Sequence, residues 1–275
     1  SLAIIVLLNY QIVHFIIILN NLYINFKKGI KAFKERVILD ENEKKFIKNN
    51  IKLWSENKNV SSKRIVLVDL FYWNPFINFW SIITNTLSKR YDAKIKFFYF
   101  DFYSGKASRF SFFISKIKKL YSSFNVDEGI CEYNFQYTAK ENKKYLKMYN
   151  SIKNINKLDT YKRDGIKIGD LIYDIYLRTQ HTYTIKKKDN HLKRIFIRTN
   201  KFYDEVNNYF KKNKVICILP SHTLYMYGII CRLAIKYNIP VIKVFSRNRG
   251  NKNIQLSKLG KDGTKEYPFY NYRKT

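Results

Sequence analysis

The stretch KVICILPSHTLYMYGIICRLAIKYNIPVIKVFSR, running from Lys214 to Arg247, decides the fold class. Val215 to Leu219 is a continuous apolar run, the signature of a strand covered on both faces of a parallel sheet. Pro220-Ser221-His222-Thr223 breaks it, and Ser221 or Thr223 is expected to cap the helix that follows. Leu224 to Tyr237 is apolar on most sides, so that helix should be largely buried. Asn238 tolerates the left-handed conformation that ends a helix, and Ile239-Pro240 forces the chain extended. Val241 to Phe245 reads as a second β-branched strand. Such a strand–helix–strand unit crosses over right-handed and presents its ligand side at the carboxyl ends of the strands. His222 falls just past one of those ends, which makes it the leading functional candidate.

The same grammar appears upstream. Arg64 to Leu70 (RIVLVDL) reads as a buried strand and Asn74-Pro75 as a turn. Phe76 to Arg90 carries apolar residues at 76, 79, 80, 83 and 87, which is helical spacing. Ala93 to Phe100 reads as a second strand with Asp101 at its end. Further helices are expected over Phe110–Phe124, Lys140–Asn156 and Asn190–Lys212, with a short strand over Ile130–Phe135. The expected class is α/β, a Rossmann-like parallel sheet flanked by helices. No solenoid-length repeat is present.

The apolar share of 46% suffices for a sizeable core. The formal charge of +31 has two readings. One is association with a polyanion or an anionic membrane surface, at roughly 1 kcal/mol per well-placed cation. The other is codon usage, since Lys, Asn, Ile, Tyr and Phe share AT-rich codons and Lys far outnumbers Arg. The aromatic residues are spread along the chain without an RNA-binding motif, so nucleic acid is not an expected partner. Cys131, Cys217 and Cys231 stand far apart and fit neither a disulfide framework nor a metal knuckle, which suits a reducing compartment.

Composition divides the chain into four stretches. Residues 1–26 are strongly apolar and precede a basic run, Lys27, Lys28, Lys31, Lys34 and Arg36, as in a membrane span or monotopic helix; a helix packed on the protein itself is the other reading. Charge after the apolar stretch would keep the remainder cytoplasmic, peripheral to or anchored in the inner membrane. Residues 27–62 read as a polar, partly helical connector. Residues 63–250 form the Rossmann-like domain, and 251–275 an irregular tail without periodicity, expected to be the start of a second domain.

Motif reading gives neither cofactor nor metal. There is no GxGxxG, no Walker A loop, no GxSxG elbow and no metal-ligand spacing among His14, His181, His191 and His222. Two clusters remain. In Ser221-His222-x-x-Tyr225, with Arg232 two turns on, a neutral imidazole near a helix start could take a proton from a hydroxyl or bind a sugar or phosphate. Against this stands a helix-start histidine bonded to backbone. In GDLIYDIYLR, Gly169 to Arg178, residues Asp170, Asp174 and Arg178 share one helical face at i, i+4, i+8. A capping Asp170 with an Asp174–Arg178 surface pair would explain them. However, Ile172, Tyr173, Ile175 and Leu177 make the helix mostly apolar, so the stripe faces either a cleft or a structural ion pair.

The patterns G-D-x-I-Y-D-x-Y-L-R and S-H-x-x-Y-x-x-Y-G-x-x-x-R-x-A resemble those of bacterial capsular and surface polysaccharide biosynthesis proteins, similar to glycosyltransferases of the GT-B type. The resemblance covers Arg64 to Phe245, the amino-terminal, acceptor-binding half of such an enzyme, so a donor-binding domain is expected beyond this sequence. It implies sugar transfer from a nucleotide-sugar to a glycan or lipid-linked acceptor. On that reading His222, Asp170 and Asp174 are catalytic candidates. Arg178, Arg232, Ser221, Tyr225 and Tyr173 are substrate-binding candidates. The alternative is a non-catalytic, membrane-associated scaffold for polysaccharide assembly.

Overall fold

The computed structural model describes residues 25–27, 29, 30, 34, 37–55, 62–71, 74–100, 111–185, 189–246, 254–260 and 266–268. The apolar stretch 1–26 therefore lies almost wholly outside the described residues, as does Asp101. Among the described residues no helix is long and apolar enough to cross a membrane.

The element order is α1 (Glu41–Trp54), β1 (Arg64–Asp69), α2 (Asn74–Tyr91), β2 (Ala93–Tyr99), α3 (Ser111–Ser122), β3 (Val126–Cys131) and α4 (Ala139–Asn150). A two-stranded ribbon follows, β4 (Lys162–Arg163) and β5 (Ile166–Lys167), then α5 (Gly169–Gln180), α6 (Asn190–Lys212), β6 (Lys214–Leu219) and α7 (Tyr225–Lys236). The chain closes with β7 (Ile242–Ser246), β8 (Ile254–Leu259) and β9 (Glu266–Pro268).

The α/β class stands. Four strands form a parallel sheet in the order β3-β2-β1-β6. Both faces are covered, which is why these strands read as apolar runs rather than alternations. Ile65, Leu67 and Ile218 face the layer that holds α5, α6 and α7, with Phe196, Phe202 and Ile230 fully buried there. Val66, Val68 and Leu219 face α2 and α3, around Trp80, Tyr121 and Phe124. In β6 the pairing skips a residue: Ile65 opposes Val215 but Val66 opposes Cys217. Ile216 is thus a bulge, and it shares the α2-side face with Cys217.

Several expectations are corrected. The strand after α7 is not a full member of the parallel sheet. Among the described residues only Val241 bridges to Ile218, and Ile242 to Ser246 instead pairs antiparallel with β8. The tail is accordingly not irregular throughout: β8 and β9 complete a three-stranded antiparallel sheet, and Leu259 is buried in the core. The strand expected at Ile130–Phe135 starts earlier, at Val126, and turns into a 3-10 helix at Glu132. The stretch before β1 carries the helix expected of a partly helical connector. Asp40 and Glu43 close a capping box on α1, and the Glu43 carboxylate also meets Lys116 of α3 at 2.8 Å, both side chains buried. Asn125 adds a bond to the Trp54 carbonyl at 2.7 Å.

Candidate functional site

The chain runs from β1 outward to β2 and β3, then returns to place β6 on the other side of β1. The strand order therefore reverses between β1 and β6, and the crevice beyond their carboxyl ends is where open α/β sheets take ligands. The last residue of β1 is Asp69, fully buried. Val68 is in register with Leu219, so the carboxylate of Asp69 meets the loop after β6. Its Oδ2 accepts the Ser221 N–H at 3.1 Å and the Ser221 hydroxyl. Ser221 Oγ lies 2.7 Å from His222 Nδ1.

This chain of contacts fixes a tautomer. A hydroxyl has one proton to donate. Ser221 gives it to Asp69, so Nδ1 of His222 must donate to Ser221 Oγ. The neutral imidazole then keeps its lone pair on Nε2. The ring is held between Phe71, edge-on with centroids 5.2 Å apart, and Tyr227 at 5.7 Å, yet remains open to solvent. Desolvation and the nearby cations Lys243 and Arg178 hold the His222 pKa below the usual imidazole value. The ring is therefore neutral near pH 7, with Nε2 as its lone-pair nitrogen. Burial works the other way on Asp69, raising its pKa to about 7 against the opposing Ser221 hydrogen bonds. Among the described residues its Oδ1 has no hydrogen-bond partner. The turn after β1 is pinned by Tyr121, whose hydroxyl accepts the Phe71 N–H at 3.0 Å and lies 2.8 Å from the Asp69 carbonyl oxygen.

The expected hydroxyl cap of α7 is absent. Leu224 occupies the cap position without a side-chain bond, because Ser221 is engaged with Asp69 and His222. Tyr225 opens the helix with φ at +55°, a left-handed conformation that costs a bulky residue on the order of 1–3 kcal/mol. The Arg178 guanidinium lies over the Tyr225 ring at 5.4 Å, with Nη1 3.4 Å from the phenol oxygen.

The two sequence clusters meet because α5 and α7 pack together in opposite directions. Arg178, late in α5, reaches Tyr225 at the start of α7; Asp170, early in α5, reaches Arg232 two turns along α7. Asp170 and Arg232 form a two-pronged ion pair at 2.7 Å in both arms, and Arg232 also donates to the Lys167 carbonyl at 2.7 Å. This pair is a strut between the two helices. Asp170 also does not cap α5, whose cap position is Ile168. Asp174 is half-buried between the two ends of the strut. Burial, then the charge of Asp170, raises its pKa against the pull of Arg232 and Lys167. Tyr173 turns to Thr184 at 3.2 Å and secures the loop after α5.

The structure thus gathers Ser221, His222, Tyr225 and Arg178 at the crevice and assigns Asp170 and Arg232 to helix packing. Asp69 is the member that sequence reading passes over. Its signal is an acid closing an otherwise apolar strand, RIVLVDL. Among the described residues no group of three His, Cys, Asp or Glu side chains is arranged to hold a metal ion. No protein-family model matches the chain, nor does any curated protein or solved structure.

Proposed function

We propose that this chain is the acceptor half of a glycosyltransferase of surface-polysaccharide assembly, with His222 as the general base. The observation that carries the reading is the Asp69–Ser221–His222 relay at the reversal point of the sheet. The relay leaves Nε2 as the lone-pair acceptor of a solvent-exposed ring, which is what activation of an acceptor hydroxyl requires. The acceptor O–H proton passes to Nε2 as the oxygen forms a bond to the sugar's anomeric carbon. The bond from that carbon to the donor phosphate breaks, and the nucleoside diphosphate leaves. The imidazolium so formed donates from Nδ1 to Ser221 Oγ, which Asp69 in turn polarises. Arg178 and Tyr225 border the same crevice, where they would grip acceptor groups. The reaction runs on the cytoplasmic side of a membrane that holds the lipid-linked acceptor.

The test is transfer of labelled sugar from nucleotide-sugar by the full-length protein. His222→Ala is expected to lower kcat by about 10²- to 10⁴-fold, the usual worth of a positioned base, with KM little changed. A variant that transfers at the parental rate removes His222 from the chemistry and the base assignment with it.

A further inference from the structure

A second feature lies at the other end of the same two strands. A cavity of about 520 Å³ opens at the amino ends of β1 and β6, on the α2 side of the sheet. Ligand sites of small molecules span roughly 300–1,000 Å³. The walls are apolar: Val66, Leu87, Ile216 and Ile242. The bulge in β6 builds one wall, since it turns the consecutive residues Ile216 and Cys217 to the same face, and both line the cavity.

The mouth is cationic. Arg64 and Lys214 open their strands, are exposed, and stand directly opposite each other in the pairing register. Like charges facing each other across strands are destabilising. Among the described residues no carboxylate lies within ion-pair distance of either. Arg64 donates Nη1 to the Tyr91 carbonyl at 3.0 Å, which holds the guanidinium at the rim and leaves its other N–H groups to donate elsewhere. An apolar cavity under two facing cations is complementary to one kind of ligand. We infer that it binds an amphipathic anion, a single apolar chain in the cavity with a phosphate or carboxylate head between Arg64 and Lys214. With β-strands rising about 3.3 Å per residue, this site lies roughly 15–20 Å from His222. It is separate from the transfer reading, and binding is measured directly, so either can fail without the other.

Isothermal titration of the full chain with octyl phosphate, 1-octanol and inorganic phosphate tests the inference. Octyl phosphate is expected to bind saturably at one site. Octanol should bind at least about tenfold more weakly, the worth of a lost charge-assisted bond, and inorganic phosphate at least about a thousandfold more weakly, the worth of a lost apolar chain. The double variant Arg64→Gln/Lys214→Gln should lose about tenfold for octyl phosphate while octanol binding stays unchanged. Leu87→Trp, which fills the cavity, should abolish saturable binding. Equal affinity for inorganic phosphate would reduce the site to surface cations, and equal affinity for octanol to a plain apolar void. Either result, or the absence of saturable binding by the parent chain, overturns the proposal. None of these comparisons of ligands depends on a variant that folds.

Discussion

Gly169→Ala is expected to cost about 3 kcal/mol or more, and to shift the urea midpoint accordingly. Gly169 opens α5 beneath the 3-10 turn Ile155–Thr160, and its N–H donates to the Tyr161 carbonyl at 2.9 Å. A Cβ there would run into the Leu158 carbonyl oxygen and come within 2.7 Å of Tyr161 N. Both obstacles are backbone, so neither can rotate away. Gly228 offers the comparison. Its added methyl would meet the rotatable end of Leu171 at 2.7 Å as well as the Thr223 carbonyl at 2.8 Å, so part of the clash can relax and the cost should be smaller. If Gly169→Ala melts like the parent, α5 does not sit where its packing on Leu158 requires.

The second large effect is a pH dependence. The carboxyl of Asp69 titrates near 3.8 when unfolded and about 7 when folded. Between those values the folded chain holds a proton that the unfolded chain has lost. The proton difference makes stability fall as pH rises from about 4 to about 7, and flatten above that. Over that whole range the decline amounts to about 4 kcal/mol at most. Asp69→Asn cannot titrate, so its urea-derived stability should lack this decline. At pH 5 the amide is expected to be less stable than the parent by about 1–3 kcal/mol, because its N–H₂ would replace the unpartnered Oδ1 in a buried site. By pH 8 the gap should close or reverse. Parallel profiles for the two proteins between pH 4.5 and 8.5 would show that Asp69 keeps its charge in the fold.

Much of the fold is legible in the chain because both strand-forming runs are covered on two faces. Val215–Leu219 and Ile65–Val68 therefore announce themselves by continuous apolarity, and Asn190–Lys212 by its helical spacing. What resists reading depends on partners distant in sequence. The segment after Pro240 has strand composition, but composition does not say that Val241 alone would bridge to Ile218 before the chain turned to pair with β8. Ile254 to Leu259 is a strand because β7 lies beside it, not because its own pattern demands it. The site divides in the same way. His222 is visible as a break residue after a strand. Asp69 gains its meaning only when β1 and β6 are known to be neighbours, and Arg232 changes from ligand candidate to strut only when α5 lies against α7.

One carboxylate early in the chain ties local order to global order. Glu43 Oε2 accepts both the Asp40 N–H at 2.8 Å, which starts α1, and the Lys116 ammonium in the interior. Lifting α1 away would break this buried contact between the Glu43 carboxylate and the Lys116 ammonium. The amides of α1 should therefore exchange with deuterium together with those of α3 in one cooperative opening, rather than fray first as a peripheral helix would. Early deuteration of Lys45 to Leu53, ahead of Leu120 and Tyr121, would be the contrary outcome. A helix that sequence alone reads as part of a polar connector is thus expected to open together with the sheet it packs beside.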